Sequence, residues 1–397
     1  MVAESVMRFE ALEAQAAALT ELFKEAGYEQ VAPSILQPAE LFLDRLGEAL
    51  RSRTYVFTDI EGTELCLRPD LTVPTARLYL ERHPDAREEA RYCYNGPAFR
   101  YQPGGGDAVR PREFRQAGIE FIGGKDRESA DAEILGLVVK ALRHAGLGEF
   151  RIRVGDLALF DALIEALDIA DRARIRLRHF FWRPQLFHEM LQRLSKEQEG
   201  DGRKADGRKA EAAILSKLDP DDPQAALDQV VKYLDRRKIP LVGARTLEEI
   251  TERLLDHARD RAEPPLSRDV VALIEGYLSV SGPPRAALAR IEDLANAAGL
   301  DMGLAIDSYR RRLDCLKGAG VDLGMLEFSA EFGRDLEYYS GFVFQVELPG
   351  MGRAGQIAGG GRYDTLLEGL GAPQAVPAAG SAIHTERLLA AVQGGPA

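Results

Sequence analysis

Strand-like sequence stands at both ends of this chain, and the long middle has almost none of it. Alternating apolar and polar residues recur before about residue 155 and again after about 320. The stretch 156–318 is rich in Ala, Leu, Arg and Asp and keeps a helical period throughout. One α+β domain split in two fits this layout: residues 1–155 and 319–397 build a single antiparallel sheet with helices, and 156–318 is a helical insertion. With 397 residues the chain is long enough for two or three self-stabilising cores.

Local patterns fill in the first part. Val6, Phe9, Leu12, Ala16, Leu19 and Phe23 recur every three or four residues and predict an amphipathic helix that Gly27 ends. "YEQVAPSIL" reads as a strand and "QPAELFLDRLG" as a short helix. "TYVFTDIEGTELCLRPD" reads as a β-hairpin turning at Asp59–Gly62. "ARYCYNGPAFRYQ" and "REFRQAGIEFIGG" are two strands joined by the loop "PGGGDAVRP". "SADAEILGLVVKALRHAGL" is a helix, with Ser129 as expected N-cap and Gly146 as expected C-cap. In the middle, the tandem "DGRKADGRKA" (201–210) reads as a charged, solvated loop.

Composition narrows the function. The net charge of −12 argues against nonspecific nucleic-acid binding, which needs a cationic surplus. Three scattered cysteines (Cys66, Cys93, Cys315) and six dispersed histidines form no zinc or disulfide pattern, so no metal or cofactor is expected. No signal peptide and no 18-residue apolar run are visible, which points to a cytoplasmic protein without a membrane segment.

Four stretches carry chemistry. In "LRPDLT", Asp70 and Thr72 share a face at a strand end, suited to a ligand's ammonium or to capping the next helix. Arg100, Arg110, Arg112 and Arg115 flank the glycine-rich loop and suit phosphate oxygens. Beyond it, Gln116, Gly118 and Glu120 lie on one strand face; the two polar residues would reach a small ligand and Gly118 would leave it room. "GRDLEYYSG" sets Arg334 beside Tyr338 and Tyr339, and "AGGGRYD" places three glycines where backbone must come close to a ligand or a strand.

Together, "LRPDLT", "FRYQ…REFRQAGIE", "GRDLEYYSG", "GGGRYD" and "GSAIHTERL" resemble the catalytic core of histidyl-tRNA synthetases, a class II aminoacyl-tRNA synthetase fold, over about 1–150 and 320–392. The resemblance implies that Asp70 and Thr72 hold the α-ammonium of histidine. It implies that Gln116, Glu120, Tyr338 and Tyr339 line the imidazole pocket and that Arg334 neutralises the carboxylate. Arg100, Arg112 and Arg387 would remain from a nucleotide site, Arg100 at an α-phosphate and Arg387 at a γ-phosphate.

The chain departs from the synthetases in four places. It ends at Ala397 where they continue into an anticodon-reading domain, so no tRNA is expected as partner. His384 stands where their pattern has glycine, and Gln102 where it has glutamate. The stretch from Gln116 to Arg334 is longer than their usual insertion. These departures make the chain similar to the regulatory subunits of ATP phosphoribosyltransferase. That resemblance implies a non-catalytic chain, a short-form catalytic subunit as partner in a hetero-oligomer, L-histidine as effector, and a homodimer formed through residues 27–50. A free-standing ligase that activates histidine or another amino acid with ATP is the alternative, kept open by the retained arginines.

Overall fold

The computed structural model describes residues 6–43, 51–102, 105–106, 110–181, 183–195, 218–219, 222–237, 246–248, 250–252, 254–255, 265–334 and 338–394. The tandem at 201–210, part of the loop at 103–109, residues 44–50 of the expected dimer segment and 335–337 lie outside these. The strands run β1 (Glu29–Gln30), β2 (Leu36–Pro38), β3 (Tyr55–Thr58), β4 (Glu64–Leu67), β5 (Ala90–Phe99), β6 (Glu113–Ile122) and β7 (Arg151–Asp156). After the helical middle come β8 (Ser281–Gly282), β9 (Leu326–Ser329), β10 (Phe342–Glu347), β11 (Gln356–Arg362) and β12 (Ala378–His384).

Nine of these strands form one sheet in the order β1-β5-β6-β12-β11-β10-β7-β9-β8. The central six pair antiparallel; β1 with β5 and β7 with β9 pair parallel. The three strands β12, β11 and β10 from the end of the chain slot between β6 and β7 from its beginning. The backbone groups of β6 and β7 that face these strands are therefore paired only by the end of the chain. The fold is α+β, a mainly antiparallel sheet with helices packed on it.

Register decides the two faces. Ala117, Ile119, Ile383 and Ala358 turn to one side and are buried there, where the helix Arg127–His144 brings Ala130, Ile134, Leu135, Val138 and Leu142. That helix is capped by Asp126, whose carboxylate accepts from the Ser129 amide at 3.2 Å. Ser129 is thus the third residue of the first turn and not the cap; the longer acidic side chain one turn earlier takes the orphan amide. Gly146, expected as the C-cap, stands one residue beyond the cap Ala145, in the left-handed conformation at φ +88°. The hairpin β3–β4 also forms where the sequence placed it: Asp59 Oδ1 accepts from the amides of Glu61 and Thr63, both at 2.9 Å. "YEQVAPSIL" forms only β1 and the first residue of β2, in different sheets, and β2 runs on into "QPAELFLDRLG", whose described helix is Glu40–Leu43.

The described residues fall into two compact units. The first contains residues 1–166, 181–183 and 273–397. The helices Pro284–Ala297 and Gly303–Gly318, which the sequence pattern groups with the insertion, belong to this unit: Arg312 of the second is tied by ion pairs to Asp131 and Asp156 beside the sheet, and Arg310 of the second pairs with Glu292 of the first at 3.0 Å. The second unit, 167–180 and 184–272, is helical and has its own small core around Leu218, Ala226, Val230 and Leu255.

Candidate functional site

The second face of the sheet is tiled with glycine. Gly96 on β5, Gly118 on β6, Gly380 on β12 and Gly359 and Gly361 on β11 all turn the same way in the paired register. A strand face without side chains is a place where something else must lie close to backbone. At Gly359 that something is the Arg334 guanidinium: a Cβ there would stand 1.7 Å from Nη1. At Gly380 it is the Glu120 carboxylate, 1.6 Å from a would-be Cβ. At Gly118 it is the Tyr94 ring from the neighbouring strand, at 2.5 Å. The room that Gly118 leaves is therefore filled by this chain's own tyrosine, not left to a ligand.

Glu120 is the centre of the arrangement, at 0% exposure. Thr72 Oγ1 donates to its Oε1 at 2.7 Å and the Tyr94 hydroxyl donates to the same oxygen at 2.9 Å. The Tyr363 hydroxyl donates to Oε2. Burial pushes the carboxyl up to about 8 against the opposing pull of these three donors. The same burial, with Glu120 adjacent, holds the hydroxyls of Tyr94 and Tyr363 well above the usual tyrosine range. Thr72 is thus paired with Glu120, and Glu120 holds a ring of hydroxyls.

Asp70 takes the helix-capping role, and its second oxygen is left over. Its Oδ1 accepts from the Val73 amide at 3.1 Å, in the first turn of the helix Thr72–Arg82. Its Oδ2 is buried with no protein partner. Burial raises its carboxyl above the usual range, and the nearby charges of Arg100 and Arg68 oppose that. Arg68 itself spans from β4 to the backbone, donating to Pro97 O at 2.8 Å and Pro33 O at 2.5 Å across the space above Gly96.

Two more polar atoms are in the same condition as Asp70 Oδ2. Gln116 is buried opposite Gly96 and His384, and its Oε1 has no partner. Arg334 donates through Nη1 to Phe344 O at 3.2 Å and Gln345 Oε1 at 3.4 Å, while its buried Nε has none. Its guanidinium stands 5.8 Å from the Tyr339 ring. Tyr339 packs against Tyr338 at 4.8 Å, and Tyr338 meets Tyr363 edge-on at 5.8 Å. Two unpaired acceptors and one unpaired cationic donor, walled by tyrosines, form a polar cleft. Leaving such groups buried and unpaired costs about 1–3 kcal/mol each, so their pairing is available to a ligand.

The adjoining part of the face is cationic. Arg100 donates through Nε to Pro69 O at 2.9 Å and covers the Phe114 ring at 5.1 Å. Arg387 donates to Gln356 O at 2.9 Å. The His384 ring lies against Phe114, 5.1 Å between centroids. Burial, with the charges of Arg387, Arg100 and Arg334 around it, drives His384 well below the usual histidine range, so its imidazole is neutral at pH 7. Gln102 is buried and accepts from Arg53 Nη2 at 3.0 Å. Arg112 is exposed; its guanidinium lies 6.0 Å from the Tyr101 ring on the loop, apart from the cleft. Arg115 points away as well, pairing with Glu13 of the first helix.

The cleft thus brings together Asp70, Thr72, Gln116, Glu120, Arg334, Tyr338 and Tyr339 and adds two residues the sequence reading missed. Tyr363 stands in "GGGRYD", where the glycines drew attention. Tyr94 lies two residues before Gly96 on β5, so strand period alone places it on the same face. Among the described residues no group of His, Cys, Asp or Glu is arranged to hold a metal ion.

A nine-stranded sheet with this connectivity and a polar cleft on its glycine face defines a class II synthetase-like protein. Solved structures agree on the fold. One of an ATP phosphoribosyltransferase regulatory subunit/histidyl-tRNA synthetase from Bacillus halodurans superposes with a TM-score of 0.67 at 22% identity, covering 99% of this chain and 82% of that one. A histidyl-tRNA synthetase from Nostoc gives 0.63 at 15% identity, over 98% and 72%. The family profile described as Histidyl-tRNA synthetase matches residues 5–260 and 249–388. Among curated relatives, the ATP phosphoribosyltransferase regulatory subunit of Rhizobium rhizogenes is 34% identical, covering 91% of this chain and 92% of its own length. That of Mesorhizobium japonicum is 31% identical over 96% and 98%. The chain belongs to the histidyl-tRNA synthetase-like family of ATP phosphoribosyltransferase regulatory subunits.

Proposed function

We propose that this chain is the regulatory subunit of a cytoplasmic ATP phosphoribosyltransferase. A short-form catalytic subunit joins ATP and phosphoribosyl pyrophosphate in the first step of histidine biosynthesis; this chain performs no chemistry, enables that subunit and senses L-histidine. The observation that carries the histidine reading is the cleft's set of unpaired atoms. Asp70 Oδ2 suits the α-ammonium, with Thr72 adjacent, and Arg334 Nε suits the α-carboxylate. Gln116 Oε1 suits an imidazole N–H, with Glu120 and its three hydroxyls behind it and Tyr338 and Tyr339 as walls. An ammonium beside Asp70 also offsets the burial that raises its carboxyl. A ligand held this way shifts the complex between states by its difference in affinity for them, and no more.

The neighbouring arginines are the remainder of a phosphate site, with the neutral His384 ring packed on Phe114 among them. These arginines are what favours the ligase alternative, which requires exchange of labelled pyrophosphate into ATP in the presence of histidine; we expect none. Self-association rests on a second surface. In the three-stranded sheet β2-β4-β3, Leu36, Leu67 and Tyr55 align, as do Pro38, Leu65 and Phe57. Leu36 and Phe57 on that face, with Ile35 and Ile60 beside it, are exposed, and a patch of this kind suits a two-fold contact with a second copy. The reading is tested by mixing the chain with a short-form catalytic subunit. Phosphoribosyl-ATP formation rises and a larger species appears by light scattering; two separately eluting chains with unchanged activity would refute it.

A further inference from the structure

Behind the cleft, on the helix-covered face of the sheet, lies a buried ionic chain that histidine binding does not use. Arg312, on the helix Gly303–Gly318, donates through Nε to Asp131 Oδ2 at 2.7 Å and through Nη1 to Asp156 Oδ2 at 2.6 Å. The other oxygen of Asp131 accepts from Arg362 Nη2 at 2.7 Å, and Arg362 Nη1 donates to Asp364 Oδ1 at 2.8 Å. Asp364 Oδ1 accepts in turn from the Ala378 amide at 3.0 Å, and Arg127 Nε approaches Asp364 Oδ2 at 3.2 Å. The run Asp156–Arg312–Asp131–Arg362–Asp364 is unbroken, and the two arginines at its heart are each 3% exposed. Apolar residues of similar volume often replace such a cluster at no loss of stability, so stability does not explain it.

Its position does. Arg362 and Asp364 flank Tyr363, whose hydroxyl donates to Glu120. The Asp364 amide donates to Ser340 Oγ at 2.9 Å and the Ser340 amide to Arg362 O at 2.8 Å, and Ser340 directly follows Tyr338 and Tyr339. The two segments that supply three of the cleft's tyrosines are therefore joined to each other and, through Arg362 and Asp131, to Arg312. The helix bearing Arg312 turns Asp307, Arg310, Arg311 and Asp314 to the surface on another side.

We infer that Arg312 is a positioning residue for the cleft. Acting through Asp131 and Arg362, it fixes the placement of Tyr363 against Glu120, so the state of the helix Gly303–Gly318 is read at the ligand-binding carboxylate. The affinity arm of this inference rests on the histidine reading of the cleft; the placement of Tyr363 does not.

The experiment uses the full chain labelled with 3-fluorotyrosine, the Tyr363 19F resonance being assigned by its loss in Tyr363→Phe, together with calorimetric titration by histidine. Arg312→Lys keeps a buried charge but cannot span both carboxylates. It is expected to move the Tyr363 resonance without any ligand and to weaken histidine by about five-fold or more. In the Tyr363→Phe background the further loss of affinity disappears. Asp307→Asn, on the exposed side of the same helix, changes neither readout. A folded Arg312→Lys with an unmoved Tyr363 resonance overturns the inference, as do affinity losses that add in the double variant. Asp131→Asn, judged by the same two readouts, decides it if the lysine variant does not fold. Should the wild-type chain bind no histidine, the cleft reading fails while the fluorine spectrum still decides the role of Arg312.

Discussion

Glu120 and His384 titrate away from their ordinary ranges for the same reason, burial, and with opposite consequences. The Glu120 carboxyl is raised to about 8 from an ordinary 4.5, so between these values the folded chain holds a proton that the unfolded chain has released. Its contribution to stability therefore falls as pH rises through that window. Glu120→Gln removes this dependence: the melting temperature of the variant relative to wild type is expected to climb between pH 5 and 8.5, read by thermal unfolding at each pH. His384 is lowered, so below its ordinary 6.5 the unfolded chain takes up a proton that the folded chain refuses. Stability then falls on acidification, and His384→Gln is expected to flatten that limb between pH 6.5 and 5. A Glu120 variant whose pH profile parallels wild type would mean that the carboxyl is ionised throughout.

At the scale of the element, three consecutive glycines on β11 carry different loads, and alanine separates them. Gly359→Ala meets only the tip of the flexible Arg334 side chain. It is expected to fold with a nearly unchanged melting temperature and to lose histidine affinity as the guanidinium is pushed aside. Gly360→Ala meets the Gly380 carbonyl at 2.2 Å, which is backbone of the next strand. Overpacking of that kind costs about 1–3 kcal/mol, so the variant melts several degrees lower. Equal behaviour of the two would contradict the placement of Arg334. The strand periods showed where these elements lie, because a two-residue repeat is written in side chains. They showed less well who fills the space above a glycine: Gly118 is answered by Tyr94 from a neighbouring strand, and that pairing depends on register between remote segments. The same limit explains Ser129, whose role passed to Asp126 three residues earlier. Arg112 sits among arginines in sequence, yet the loop turns it outward to Tyr101.

For the whole molecule, strand-like sequence stands at both ends of the chain, and the sheet is composite, with β12, β11 and β10 from the end lying between β6 and β7 from the beginning. The helix Gly303–Gly318 could not be assigned to the sheet unit from its period alone, because the period marks its buried face, Ile306, Tyr309, Leu313 and Leu316, without saying what that face packs on, and the ion pairs of Arg312 with Asp131 and Asp156 join segments remote in sequence. The exposed apolar face of β2-β4-β3 leads to a prediction about assembly: Phe57→Glu is expected to convert a dimer to a monomer by light scattering while the chain stays folded. The central claim is that the glycine face of this sheet receives free histidine, with Asp70 Oδ2 on its ammonium. Titration calorimetry of the purified chain with L-histidine tests it most directly. The account predicts one site per chain, weakened ten-fold or more by Asp70→Asn, which corresponds to about 1.4 kcal/mol. No binding by the wild-type chain, or the same affinity in the variant, would contradict it.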